Sequence, residues 1–172
     1  MTILTLSVLT VLGLIGAQLP VFLAAPIQAA IAAGPCDTPA NSIVAENCLP
    51  GNPASEWDIS GSGSPDLQGF ATDISVNRGQ TISFKIDNRT GATYRLDIYR
   101  LGYYQGLGAR KVATLNNISS SPQPTCLTDP TTGLIDCGNW AVSASWSVPA
   151  NATSGIYIAK PVSNQATPAT SH

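Results

Sequence analysis

The sequence predicts an all-β fold, an antiparallel immunoglobulin-like or fibronectin-like β-sandwich that follows an N-terminal apolar leader. Three observations carry that expectation. After Gln68, apolar residues recur at every second position in several short runs. Gly, Asn and Pro punctuate those runs as turn residues do. Beyond the leader no long stretch shows the spacing of an amphipathic helix.

The chain of 172 residues opens on an apolar run in which no charged side chain precedes Asp37. Residues 1–32 read as a secretory signal, with Ala30-Ile31-Ala32 as its small-residue cleavage site. An uncleaved membrane anchor is the alternative, since the run is long enough to span a bilayer. Either reading puts the remaining chain at the cell surface or in the secreted fraction, with membrane contact only if the leader stays in place. Four cysteines agree with an oxidising compartment. Of their three pairings, Cys36 with Cys48 and Cys126 with Cys137 is preferred, because each pair brackets a turn-rich loop. Zinc is disfavoured by that spacing and by the single histidine, His172.

Residues 33–66 are rich in Pro, Gly, Asn, Ser and Asp and read as an irregular, disulfide-closed segment, with Trp57 and Ile59 marking a short first strand. Residues 67–172 form the sandwich. In FATDISV, Phe70, Ile74 and Val76 share a face; in QTISFKID the inward set is Ile82, Phe84 and Ile86. The NRGQ between them is a turn with Gly79 at its φ > 0 position. TYRLDIYR points Tyr94, Leu96 and Ile98 inward and Arg95, Asp97 and Tyr99 outward. ARKVATL is a further strand. NWAVSASWSV alternates from Trp140 to Val148, its tryptophans serving as core bulk or lining a ligand groove. In GIYIAK, Ile156 and Ile158 face one way. A closed barrel is the lesser architecture.

The composition excludes several functions. A net charge of −2 with eight scattered basic residues does not suit a nucleic-acid partner. A serine or cysteine nucleophile would need a positioned base, and His172 is the terminal residue. The loop aspartates Asp58, Asp66, Asp129 and Asp136, with Asp73, read as turn formers, calcium being the alternative. No nucleotide-binding glycine pattern is present, so no cofactor is expected and the chain reads as a non-enzyme. Asn88, Asn117 and Asn151 head N-x-[ST] sequons in turn regions.

The stretch YRLGYYQGLGARK, Tyr99 to Lys111, gathers three of the five tyrosines between two strands. Its glycines are accounted for by backbone bends, and its tyrosines can close the end of the core. The functional alternative is a sugar- or peptide-stacking surface built from Tyr99, Arg100, Tyr103, Tyr104 and Arg110.

Four segments in order, QGFATDISVNRGQTISFKI, YRLDIYRLGYYQGLGARKVATL, PTCLTDPTTGLIDCGNWAVSASWSVP and SGIYIAK, give the chain from about Asn52 to Lys160 a family likeness. It resembles the immunoglobulin-like N-terminal module of exported bacterial proteins related to the N,N-dimethylformamidase large (β) subunit. The resemblance implies that amidase chemistry, at an iron held by tyrosine and glutamate, belongs to a separate region, so no iron ligand is carried over onto these residues. It also implies that KPVSNQATPATSH leads toward a final apolar strand, which makes the chain a truncated or partial form. The expectation is a non-catalytic exported module, a structural or recognition part of a larger protein, with neighbouring domains, protein or glycan as partners. The alternatives are a free-standing carbohydrate- or protein-binding module and the leading fragment of an amidase-like enzyme.

Overall fold

The computed structural model describes residues 34–119 and 121–172. The leader of residues 1–32, with its cleavage site, lies outside them. Two three-stranded antiparallel sheets face each other. In the first, β1 (Leu67–Ala71) and β7 (Ala144–Ser147) flank β2 (Thr81–Asn88). In the second, β4 (Ala109–Ile118) and β8 (Tyr157–Ser163) flank β3 (Tyr94–Leu101). Two-residue strands β5 (Leu127–Thr128) and β6 (Ile135–Asp136) form a small separate hairpin. The fold is the all-β antiparallel sandwich that the period-two runs predict.

The core lies between the sheets. Ile82, Phe84 and Ile86 of β2 meet Tyr94, Leu96 and Ile98 of β3, with Leu67 and Val148 completing the buried cluster. Cross-strand pairs put Trp146 opposite Ile82 and Ala144 opposite Phe84, so β7 adds to the same face. On the outer face of β2, Ser83 and Ser145 hydroxyls meet at 2.9 Å in the open, as the alternation predicts.

Several sequence expectations need correction. Trp57 ends a one-turn helix, α2 (Ala54–Trp57), and starts no strand. The first strand runs over Leu67–Ala71 and is anchored by Leu67, so Phe70 faces outward onto Trp140 at 5.7 Å between ring centres. Ile74 is wholly exposed. The NRGQ turn does form, closed by the Gln80 amide on the Asn77 carbonyl at 3.1 Å with Gly79 at φ +79°. Alternation from Trp140 yields a strand only from Ala144, where β2 supplies a partner. Upstream, the Gln123 side chain brackets Ala141, donating to its carbonyl at 3.0 Å and accepting from its amide at 2.9 Å. In β8 the inward residues are Tyr157 and Ala159; Ile158 pairs with Tyr99 on the outer face, and Ile156 is exposed.

Both short-range disulfides are present. Cys36 and Cys48 have Cα atoms 5.5 Å apart, and Cys126 and Cys137 4.4 Å apart. The first closes a segment containing α1 (Ser42–Asn47), which starts at Asn41, whose side-chain oxygen caps the Ile43 and Val44 amides at 3.0 Å. No helix among the described residues is long and apolar enough to cross a membrane.

Candidate functional site

The aromatic and basic stretch from Tyr99 to Lys111 includes the end of β3, the loop after it and the start of β4. After Leu101 the chain turns through Tyr104 (φ 40°), Gln105 (φ 58°) and Gly106 (φ 90°), then re-enters a strand at Ala109. Left-handed backbone at Tyr104 is costly for a bulky side chain and persists only where surrounding contacts hold it. Those contacts are visible. The Tyr104 ring is fully buried, its hydroxyl donates to Glu46 Oε1 at 2.9 Å, and it accepts from Arg100 Nη1 at 3.0 Å.

Arg100, only 3 % exposed, also donates from Nη2 to the Ser154 carbonyl at 2.7 Å. Arg110 donates from Nε to the same Glu46 oxygen at 2.8 Å. One carboxylate from α1 thus receives a phenol from the loop and a guanidinium from β4, with a second guanidinium one bond away. Burial raises the Tyr104 pKa, keeping the phenol protonated as a donor. Burial alone would lower that of Arg110, but the Glu46 carboxylate more than offsets it, and the net shift is upward.

A second cluster lies further along β3. Asp97, with 1 % exposure, accepts from Thr114 Oγ1 at 2.7 Å, Arg95 Nε at 3.0 Å and Lys111 Nζ at 3.3 Å. Burial pushes its pKa up, while the Thr114 and Arg95 hydrogen bonds and the Lys111 charge bring it below the usual value. Tyr99 is fully buried; its hydroxyl donates to the Glu56 carbonyl at 3.2 Å, and Lys111 Nζ lies 5.3 Å from its ring centre. Opposite Asp97, Lys160 donates to the carbonyls of Glu56 at 2.9 Å and Asp58 at 3.0 Å, and burial lowers its pKa.

These groups fasten residues 34–66 to the sheet. The Asn52 amide donates to the Ala109 carbonyl at 2.8 Å, and Lys111 returns its amide to Asn52 Oδ1 at 2.7 Å. Trp57 Nε1 reaches the carbonyls of Asn52 and Leu107, each at 3.1 Å. Gly108 lies so close under that indole that a Cβ there would stand 2.8 Å from Cζ2, at a φ of +86°. Its lack of a side chain is what admits the tryptophan.

Of the five residues that the sequence offered as a ligand surface, Tyr99, Arg100 and Tyr104 are therefore buried beneath this chain's own N-terminal segment. Arg110 is partly covered by Glu46, and Tyr103 alone, 71 % exposed, presents its ring to solvent. The structure brings together Tyr104, Arg100 and Arg110 and adds Glu46, Asp97 and Lys160, which sequence reasoning did not select. No local signal marked Asp97, which occupies an ordinary polar position of the alternation between Leu96 and Ile98. His172 corrects another expectation: its Nε2 lies 2.7 Å from the Trp57 carbonyl, so the terminal ring is held in place. Among the sequons, Asn88 is buried, its amide donating to the Ala92 carbonyl at 2.7 Å, whereas Asn117 and Asn151 are exposed.

Tyrosine and glutamate do meet at Tyr104 and Glu46, the ligand types that the family resemblance associates with iron. They do not fit that role here. Arg100 and Arg110 supply the positive charge between them, and the neighbouring Tyr103 turns away to solvent. Among the described residues no group of three or more His, Cys, Asp or Glu side chains is arranged to hold a metal.

No curated protein and no solved structure matches the chain. A family model does, over residues 95–171, a span that opens in β3 and takes in Arg100, Tyr104 and β8. Its description names a C-terminal region, whereas the sequence likeness was drawn to an N-terminal module; both names refer to the dimethylformamidase beta subunit. Residues 95–171, a little under half of the chain, are thus similar to the family model described as N,N-dimethylformamidase beta subunit-like, C-terminal.

Proposed function

We propose that this chain is a non-catalytic, exported β-sandwich module, a structural part of a larger dimethylformamidase-beta-like protein. One observation carries the reading: the polar and aromatic side chains best suited to a site are consumed in clamping residues 34–66 onto the sheet. Tyr104, Arg100 and Glu46 are buried and bonded to one another, with no face left for a substrate. Two disulfides support export, since such bonds persist in oxidising compartments. Its partners on this reading are neighbouring domains of the same polypeptide.

The test is amide hydrolysis by the purified chain, with and without added ferrous or ferric iron. No turnover above the protein-free rate is expected under either condition. Turnover that copurifies with the chain and is lost in Tyr104→Phe would overturn the reading in favour of an amidase fragment.

A further inference from the structure

The side of the sandwich where β1 and β8 meet is open. A groove of about 850 Å³ runs between the sheets there, reaching Ile82, Phe84, Ile86 and Trp146 on one wall and Ile98, Tyr157 and Ala159 on the other. It therefore penetrates to the core cluster and is no surface dimple. Val76 and Ile156 stand exposed along its rim, and His172 lines it.

The backbone beside the groove is also unfinished. β8 is hydrogen-bonded to β3 along one edge only. The Ile156 carbonyl accepts from the Leu101 amide, so the even-numbered residues of β8 direct their backbone groups toward β3. Tyr157, Ala159, Pro161 and Ser163 therefore turn theirs to the outer edge. At the far end that edge is already occupied. The Ser163 amide donates to the Ala169 carbonyl at 2.9 Å, the Ser171 amide approaches the Pro161 carbonyl at 3.4 Å, and Val162 bridges Thr170 in antiparallel register. Tyr157 and Ala159 pair with β3 on their other side, and no strand among the described residues pairs with their outer edge.

The register of this short pairing fixes what comes next. Moving two residues along pairs the first position beyond His172 with Ala159 and the third with Tyr157. Cross-strand neighbours share a face. Ala159 and Tyr157 pack on the core, as does Ala169, so those positions point into the groove.

We propose that the groove seats an antiparallel β-strand of the larger polypeptide, running on in line from Ala169–Ser171 and filling the core with alternate apolar side chains. The source of the strand rests on the reading of this chain as part of a longer protein. A small apolar molecule could fill the volume but would leave the Tyr157 and Ala159 backbone unpaired. A strand satisfies both requirements at once.

The test extends the full chain at its C-terminus by Val-Thr-Val-Thr-Val or by the phase-shifted Thr-Val-Thr-Val-Thr. Because a one-residue slip sends every side chain to the opposite face, only the first should work. It should raise Tm by about 5 °C and slow amide exchange at Tyr157 and Ala159 by about tenfold or more. The shifted extension should do neither. Equal effects from both extensions, or no protection from either, would overturn the proposal. Protection of the same amides in a dimer of the unextended chain would also overturn it, assigning the edge to a second copy. An in-phase effect alongside amide turnover would keep this proposal while removing the non-catalytic one.

Discussion

The two faces of the β4–β3–β8 sheet are about equally buried and chemically opposite. On the inner face Tyr94, Leu96 and Ile98 are at most 1 % exposed, and Ile82, Phe84 and Ile86 pack opposite them. On the outer face Asp97 and Tyr99 are at most 1 % exposed, yet each needs named partners. Apolar burial is favourable through the area removed from water and tolerates inexact neighbours. Polar burial is tolerable only when every donor and acceptor is answered. The inner face accordingly supplies stability, and the outer face makes the placement of residues 34–66 specific.

Cutting into each face sharpens the contrast. The largest loss is expected inside, where Leu96→Ala should cost about 2–5 kcal/mol through lost burial and a residual cavity, read from urea unfolding. Outside, Asp97→Ala should cost about 2 kcal/mol, because Arg95 and Lys111 are partly exposed and can return to water.

The Asp97 variant also carries a pH signature. The folded pKa is lowered from 3.8, so the carboxylate's contribution is present above that value and lost as pH falls through the lower folded pKa. Acid titration of the parent chain should show that loss, and Asp97→Ala should flatten it.

Smaller effects separate neighbouring tyrosines. Tyr104→Phe removes a hydroxyl bonded to both Glu46 and Arg100 and should cost about 1–2 kcal/mol. Tyr103→Ala, at an exposed ring, should stay within about 0.5 kcal/mol. Thermal unfolding of the two variants side by side is sufficient to check the difference.

The inner face was legible in the sequence because period-two alternation records it directly: Ile82, Phe84, Ile86, then Tyr94, Leu96, Ile98. The outer face was not. Alternation marks Arg95, Asp97 and Tyr99 as the non-core side, and nothing local distinguishes a solvated side from one covered by another segment. The covering segment is itself polar and Pro-rich, so it reads as a loose loop. What gives it a fixed seat is long-range: Asn52 to Lys111, Trp57 to Leu107, Lys160 to Glu56. Alternation put Ile156 and Ile158 on one face without saying which. Their register is set by pairing with β3, which places Ala159 and Tyr157 inward. The disulfides were readable because each pair brackets its own loop. The Tyr104 hub was half readable, since the loop's composition showed that something unusual happens there, while Glu46 lies in another segment.

The clamp is tested most directly by amide hydrogen exchange in Glu46→Ala. That substitution removes the acceptor shared by Tyr104 and Arg110 and leaves the inner core untouched. Exchange should accelerate from Ser42 through Trp57 and around Tyr104, while β2 and β7 keep the protection of the parent chain. Unchanged exchange over Ser42–Trp57, or loosening that begins in β2, would contradict the account of these buried polar contacts as the seat of that segment.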